Sequence, residues 1–520
     1  MAFALKRVRA PALVAGAFLL ACSATPPAGL GVRRQAGALR GLVATSDGAW
    51  LAFLGGCSEA RARSLPAGTA SCDLEVVPAA GGEAVRVGRA VTTLPGGVAV
   101  SPAGPELAAL ASYDYAAAAG TLVRWRAGEG AKELAAGVTF HGYGPDGSLG
   151  YIAAGELYLA PPGGEPRTVS GVSAAASFEM APPGGELLAL VRRRASAGGE
   201  LLAVHPGAGG AGPGAMAVAG PVGDYAFGRD RIFAYTRLAG DGARLELAPA
   251  RPAARPEAVA AGVRAFAFGP EGGAIAYLAD AAPGKQGDLH LRGGGRELLL
   301  GKGVGEFRWA GRAPRLAWLE GYDPRVRSGV LGVGGLDLSP RTLGKNVSDL
   351  ELSPDGRYVA FLQHTTRGGY SVDLLLAALD AAGAEPRRVA QSSYGFAFSP
   401  DGRWLYYRTR CTRSGEACDL ERIDPGAAGS RPERIAEGVK SFEFGPGEPG
   451  RLLVGWKRLD RDALDVGVWE AGALATVDTQ VLPGSARFVG PGAGRLAYLV
   501  VDERRPGLYL AEVPAPRTAR

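Results

Sequence analysis

Two nearly identical segments constrain the fold of this chain more than any other feature of its sequence. They are SPDGRYVAFL at 353–362 and SPDGRWLYY at 399–407. In each, a Pro-Asp-Gly turn precedes an apolar run, a pattern typical of a tight hairpin followed by its second strand. The two segments are 46 residues apart, and a period of about 40 to 50 residues indicates repeated four-stranded units. The residues of this repeat-turn motif are Ser353, Pro354, Asp355, Gly356, Ser399, Pro400, Asp401 and Gly402.

The same pattern recurs along most of the chain. Its clearest copies begin near Val263, Val304, Val347, Ser393, Val439 and Ser485. Each opens with large apolar residues at alternate positions, such as Phe396 and Phe398, which places both side chains on one face of a strand. Weaker copies precede them, and the total is about eleven units of about 41 to 50 residues.

Units of this kind predict an all-β protein. One four-stranded unit cannot bury its apolar face alone, so neighbours must stack, and radial stacking gives a β-propeller with few exposed edges. Because propellers typically hold about four to eight blades, eleven blades predict two consecutive propellers. We place the first at 38–262, with weak repeats, and the second at 263–516, with six clear repeats. A single larger ring is the alternative.

Composition supports a repeat array and gives no indication of a nucleic-acid partner. The chain has 520 residues, 81 glycines, 37 prolines and 47% apolar residues, so glycine and proline are best explained as turn residues between short strands. Its net charge is +6, or +3 without the three basic residues of the first ten. No cluster of lysine and arginine with interleaved aromatics occurs, and we expect no nucleic-acid binding.

The N-terminus predicts export. Residues 1–21 combine a basic start with a short apolar run, which is typical of a signal peptide. The Leu-Leu-Ala-Cys sequence ending at Cys22 resembles the lipobox of bacterial lipoproteins, which implies acylation of Cys22. The alternative is an ordinary signal peptide with an incidental cysteine. Ser23 follows, and the resemblance then implies sorting to the outer membrane. Residues 22–37 are predicted to be a flexible tether.

Four further cysteines occupy matching places in two repeats. Cys57 and Cys411 follow the second strand of their units, and Cys72 and Cys418 precede the third. In an exported protein this arrangement predicts two local disulfides, Cys57 to Cys72 and Cys411 to Cys418. A metal site is disfavoured because no C-x₂-C pair occurs and the histidines (His141, His205, His290, His364) are scattered.

No motif that carries catalysis is present. The nucleophile elbow, the HExxH zinc motif, the EF-hand loop and the P-loop are all absent. The run 207–212 matches G-x-G-x-x-G but lies in a Gly/Ala/Pro loop. Asp460, Asp462 and Asp465 suggest a calcium loop, but the alternating arginines favour a solvated hairpin. We therefore predict no catalytic residue, no cofactor and no metal ligand.

The motif S-P-D-G followed by a basic residue and an apolar strand resembles the repeat of the TolB-like, WD-repeat-like propeller families. The resemblance covers residues 38–516. It implies a propeller that serves as a scaffold or binding protein of the cell envelope. TolB-like proteins carry an α/β domain before the propeller, whereas here the repeats start soon after the tether.

These observations predict a lipid-anchored, non-enzymatic propeller, acting as a monomer that binds an envelope protein or peptide and touches the membrane through its N-terminal lipid alone. It would face the periplasm or the cell surface from the outer membrane. Two alternatives stay open, a propeller-type glycan-binding protein or hydrolase/lyase, and a purely structural envelope protein. A propeller enzyme usually gathers carboxylates or histidines from several blades around a central metal. We expect alanine, glycine and apolar residues at those inner positions.

Overall fold

The computed structural model of the chain describes residues 29–33, 40–60, 65–66, 68–182, 186–195, 198–207, 212–228, 232–239, 242–249, 255–279, 286–364, 372–381, 383, 385–412, 415–427, 429–445, 451–457, 463–470, 472–489, 494–502, 504 and 507–513. Over these residues every regular element is a β-strand. None of them belongs to a helix that is long and apolar enough to cross a membrane.

The described strands group into eleven antiparallel four-stranded units, and five long strands end one unit and begin the next. In chain order, unit 1 has β2 (Arg40–Ala44), β3 (Trp50–Glu59), β4 (Ala70–Pro78) and β5 (Val85–Thr92); unit 2 has β6 (Val98–Val100), β7 (Glu106–Asp114), β8 (Ala119–Arg126) and β9 (Gly130–Tyr143); unit 3 has β9, β10 (Leu149–Ala153), β11 (Glu156–Ala160) and β12 (Arg167–Thr168); unit 4 has β13 (Ala175–Met180), β14 (Ala189–Ala195), β15 (Gly198–His205) and β16 (Gly214–Phe227). Unit 5 has β16, β17 (Ile232–Ala239), β18 (Gly242–Pro249) and β19 (Glu257–Ala260); unit 6 has β20 (Ala265–Phe268), β21 (Ala274–Ala279), β22 (Gly287–Gly293) and β23 (Arg296–Trp309); unit 7 has β23, β24 (Arg315–Asp323), β25 (Ser328–Gly335) and β26 (Arg341–Leu352); unit 8 has β26, β27 (Tyr358–His364), β28 (Val372–Ala378) and β29 (Arg387–Ala390). Unit 9 has β30 (Phe396–Phe398), β31 (Leu405–Thr409), β32 (Cys418–Ile423) and β33 (Glu433–Phe444); unit 10 has β33, β34 (Leu452–Lys457), β35 (Leu464–Glu470) and β36 (Ala473–Val481); unit 11 has β37 (Arg487–Val489), β38 (Arg495–Val500), β39 (Gly507–Glu512) and β1 (Gly29–Arg33).

The first strand of a unit lies on the inside of the assembly and the fourth lies outside. First strands of neighbouring units contact one another, as β2 does with β37 and β26 with β30. Fourth strands instead carry many exposed side chains, as β12 and β19 do. The second and third strands are the most buried, because alternate side chains pack against the preceding and the following unit.

Successive units are joined face to face by apolar clusters. One cluster unites units 5 and 6 through residues such as Leu245 and Tyr277. Another unites unit 11 with unit 1 through Leu499, Leu508 and Phe53. Stacked four-stranded sheets whose last member packs on the first are a β-propeller.

This order of contacts bears on the predicted division near Gly262. Two consecutive propellers would require unit 1 to pack on unit 5, and no apolar cluster among the described residues joins those two units. Val263 instead lies inside the cluster that continues from unit 5 into unit 6. The contacts favour the alternative of one larger ring over separate propellers at 38–262 and 263–516.

The N-terminal strand completes unit 11. Residues 29–33, which the sequence assigned to the flexible tether 22–37, form β1 and pair with β39, Gly29 opposite Tyr509. The tether prediction therefore needs correction here, because β39 offers a free edge that a strand from elsewhere in the chain can satisfy. Residues 1–28, with the predicted signal peptide and Cys22, lie outside the described residues.

The repeat-turn motif is held by one repeated set of hydrogen bonds. In the second copy, the Ser399 hydroxyl donates to Asp401 Oδ1 at 2.5 Å and accepts from the Trp404 amide at 2.9 Å. Asp401 Oδ1 also accepts from the Arg403 amide at 3.1 Å. Gly402 has a φ of 75°, the left-handed region that favours glycine. Ser353, Asp355 and Gly356 repeat this geometry, so the motif residues are explained by the turn.

Replacement of Asp401 by alanine is expected to destabilise unit 9 by about 1 to 2 kcal/mol, because the buried Ser399 hydroxyl loses the nearer of its two acceptors and the Arg403 amide loses its bond to the carboxylate. Asp401→Asn is the matched control, since its amide oxygen can accept the same two bonds. Urea unfolding would measure both variants. Equal losses in the two would show that the hydrogen bonds do not stabilise the turn.

Both predicted disulfides are present. Cys57 pairs with Cys72 and Cys411 pairs with Cys418, with Cα–Cα distances of 4.1 and 3.9 Å. Each bond crosses the hairpin between the second and third strands of its unit, in units 1 and 9. The hairpins they close lie at the opposite end of the strands from the repeat-turn motif.

Removal of each disulfide by a double Cys→Ser replacement is expected to reduce stability, by about 3 kcal/mol for Cys57 with Cys72 and about 2.5 kcal/mol for Cys411 with Cys418, because the first closes the longer loop. Thermal unfolding with and without reductant would test this. Reductant should lower the thermal midpoint of the wild type but not that of the variant in which serine replaces all four cysteines. A wild-type midpoint that reductant does not change would contradict the prediction.

Candidate functional site

A well-formed cavity lies between units 3 and 4. It has a volume of about 450 Å³, within the range of about 300 to 1,000 Å³ usual for ligand sites. It opens at the end of the strands that carries the repeat-turn motif, since turn residues of both units line it. We call it the unit 3/4 pocket; its walls are Leu159, Ala160, Pro161, Pro162, Met180, Ala181, Pro182, Leu187, Leu188 and Pro213, with Asp146, Ser148 and Arg167.

The sequence of unit 3 explains why a pocket forms at this place. Its fourth strand, β12, has only two residues, and Pro161 and Pro162 follow the third strand directly. Proline lacks an amide hydrogen and cannot extend the sheet. The outer part of unit 3 therefore covers less of unit 4 than a longer strand would, and apolar walls stay open to solvent.

Two charged side chains lie in the pocket walls. Asp146 belongs to the turn after β9, and its carboxylate accepts hydrogen bonds from the Ser148 amide at 2.9 Å and hydroxyl at 2.8 Å. Arg167 begins β12 opposite Leu159 and is exposed. Within the described part of the chain neither side chain forms an ion pair. The pocket thus combines an apolar wall with a cation that can bind an anionic or carbonyl oxygen.

A second group of polar residues lies on the inner strands of units 7 and 8. Arg308 donates to the Leu350 carbonyl at 2.8 Å, and its guanidinium lies 3.4 Å from the Asp349 carboxylate and 3.9 Å from that of Glu306. The expectation of alanine, glycine and apolar residues at inner positions is therefore wrong in these two units. The reason is that the aromatic alternation fixes one face of each inner strand and leaves the other free to vary.

Glu351 lies on β26, the strand that also carries Asp349. Its hydrogen-bond partner belongs to the next unit. Its carboxylate accepts the amide of Phe398 in unit 9 at 3.2 Å. Burial raises the pKa of Glu351 to about 7, with a smaller contribution from nearby Asp349 and opposition from the Phe398 amide and Arg308. Glu351 thus links two units and titrates near neutrality.

Comparison with known proteins gives structural similarity alone. No family model matches the chain, and no curated protein matches it. A solved structure described as the eukaryotic initiation factor aligns with 76% of this chain and 88% of its own, at 12% identity and a TM-score of 0.41. The tricorn protease aligns with 93% of this chain and 58% of its own, at 13% identity and a TM-score of 0.24. An oligogalacturonate lyase in complex with manganese aligns with 66% of this chain and 98% of its own, at 13% identity and a TM-score of 0.32. The propeller assignment rests on the strand pairing and core contacts of this chain.

The residues singled out by sequence are distributed over the whole assembly. The repeat-turn motif lies at turns of units 8 and 9, away from the unit 3/4 pocket. His141, His205, His290 and His364 lie in units 3, 4, 6 and 8, and within the described ranges no three His, Cys, Asp or Glu side chains are grouped to hold a metal ion. Asp460 and Asp462, and part of 207–212, lie outside the described residues.

The unit 3/4 pocket is not evident from the sequence alone. A signal was present, since Pro161-Pro162 follows the third strand and Pro182 lies in the next turn. Only the pairing of units 3 and 4 shows that these prolines line one cavity.

Proposed function

We propose that the protein is a lipid-anchored cell-envelope propeller, of the TolB-like, WD-repeat-like kind, that binds a peptide segment of a partner protein in the unit 3/4 pocket. The observation that carries the proposal is the pocket itself, an apolar cavity of about 450 Å³ with one unpaired arginine among the described residues. Such a cavity accommodates apolar side chains, and the arginine supplies a polar contact that orients them.

Envelope location is supported by two disulfides, which persist in oxidising compartments. Acylation of Cys22 would hold the propeller at the outer membrane through an N-terminal lipid. The propeller would then present its pocket to the periplasm or the cell surface as a monomer.

Peptide binding can be tested with a displayed library of random peptides selected on residues 29–520. Affinities of selected peptides would be measured by fluorescence polarisation. Ala181→Trp places an indole in the pocket and is expected to weaken binding more than about tenfold, equivalent to about 1.4 kcal/mol. Leu238→Trp is the control, because Leu238 is an exposed apolar residue outside the pocket. Equal affinities of the two variants would place binding elsewhere.

The anchor requires a separate test in cells. Cys22→Ser should move the protein from the membrane fraction to the soluble fraction, and its mass should lack acyl groups that the parent carries. A variant that stays in the membrane with no mass difference would refute the anchor.

A further inference from the structure

Arg167 occupies a position that recurs in other units. It can be identified by pairing across three strands: Gly150 pairs with Leu159, which pairs with Arg167. The same path in unit 7 runs from Ala317 through Val333 to Arg341. In unit 2 it runs to Lys132 and in unit 5 to Glu257. We call this the outer bridging position.

In three of these units the side chain at the outer bridging position contacts the following unit. Lys132 forms an ion pair with Glu165 of unit 3 at 2.8 Å, and Glu257 pairs with Arg292 of unit 6. Arg341 donates to three carbonyl oxygens of unit 8, those of Ala378 at 2.7 Å, Ala381 at 3.0 Å and Leu379 at 3.3 Å. In units 2, 5 and 7 the charged side chain at this position thus binds oxygen atoms or a charge of the next unit.

Arg167 differs from these residues. It lines the unit 3/4 pocket, and across the described ranges it has neither a hydrogen bond nor an ion pair with unit 4. Arg341 meets backbone oxygens of unit 8, whereas Arg167 faces a cavity among the described residues. A ligand that fills the cavity can supply the missing oxygen atoms.

We propose that Arg167 is the specificity-determining residue of the pocket and binds a peptide carboxylate that adjoins an apolar side chain. This inference rests on the proposed function. A carboxylate carries two coplanar oxygens that match the guanidinium fork and balance its charge. The apolar side chain packs against Leu188 and Met180, which are both half-buried in the pocket wall. The carboxylate belongs to a chain terminus or to an acidic side chain, and the experiment separates these sources.

Three fluorescein-labelled peptides serve as probes: a Gly/Ser-rich hexapeptide ending in Leu-Leu with a free carboxylate, the same peptide as its C-terminal amide, and an amidated peptide ending in Asp-Leu. Fluorescence polarisation would measure their dissociation constants. The free acid should bind wild-type protein about tenfold or more tightly than the Leu-Leu amide. If the Asp-Leu amide binds as tightly as the free acid, the site accepts an acidic side chain; weaker binding identifies a chain terminus.

Arg167→Met and Arg341→Met form a matched pair, since the same replacement is made at equivalent positions. Arg167→Met should remove the preference for the free acid without lowering thermal stability. Arg341→Met should keep that preference but lower the thermal midpoint, because three carbonyl oxygens lose their donor. Binding of free acid and Leu-Leu amide with equal affinity to wild type would overturn the role of Arg167 while leaving peptide binding intact. If no probe binds, this inference fails, and the proposed function fails as well if the random library also yields no peptide that the pocket binds.

Discussion

Separate expression of residues 29–262 and 263–520 is expected to give two chains that do not fold alone. The cut exposes two apolar clusters at once. Between units 5 and 6 it uncovers Leu245, Ile275 and Tyr277, and between units 11 and 1 it uncovers Leu51, Phe53 and Leu499. Burial of one such side chain contributes about 1.5 to 3 kcal/mol, so the loss for these six, about 9 to 18 kcal/mol, is as large as the typical stability of a domain, about 5 to 15 kcal/mol.

The halves should aggregate or remain protease-sensitive when made singly, and co-expression should yield a soluble complex of both. Circular dichroism and limited proteolysis would distinguish these outcomes. A monomeric, protease-resistant half with a cooperative melting transition would instead support two consecutive propellers.

A circular permutant is the control for this cut. Gly29 of β1 pairs with Tyr509 of β39, so a short linker can join the C-terminal end of β39 to β1. A chain that begins at 263 and ends at 262 then has the same break in sequence but keeps every contact between units. The thermal midpoint of this permutant should lie close to that of the intact protein.

The repeat made much of this fold predictable from sequence. Aromatic alternation located the inner strands, as at Phe396 and Phe398 in β30, because burial on one face of a strand leaves a period of two. Matching places in two repeats located both disulfides, since equivalent residues in equivalent units have equivalent geometry.

Features that depend on contacts between distant units could not be predicted. The strand β1 has a Gly-rich sequence with little apolar pattern, and it is specified by the free edge of β39, almost five hundred residues away. Arg167 and Arg341 look alike in sequence, and only the neighbouring unit decides that one meets carbonyl oxygens and the other a cavity.

Two titratable residues, buried His141 and half-buried Glu351, are expected to give opposite dependences of stability on pH. His141 is 6% exposed on the inner strand of unit 3, and burial lowers its pKa to about 4, an effect that the backbone of Gly96 and Gly97 partly opposes. Glu351 has a raised pKa of about 7. The ordinary values are 6.5 for histidine and 4.5 for glutamate.

The signs follow from which state binds the proton. Between pH 6.5 and 4 the unfolded chain protonates His141 and the folded chain does not, so stability falls as pH falls, by about 3 kcal/mol in total. Between pH 4.5 and 7 the folded chain keeps Glu351 protonated and the unfolded chain does not, so stability falls as pH rises, by about 2 to 3 kcal/mol. The two contributions nearly cancel over the shared window.

Single replacements should reveal each contribution. As pH falls from 7 to 4, the free energy of unfolding of His141→Leu should rise by about 3 kcal/mol relative to that of wild type. Glu351→Gln keeps an acceptor for the Phe398 amide. As pH rises from 4.5 to 8, its free energy of unfolding should rise by about 2 to 3 kcal/mol relative to that of wild type. Urea unfolding at several pH values would give both difference curves. In the double variant the two gains should add, because the residues lie in separate units, 3 and 8. A flat difference curve for either single variant would show that its side chain is hydrated in the folded protein.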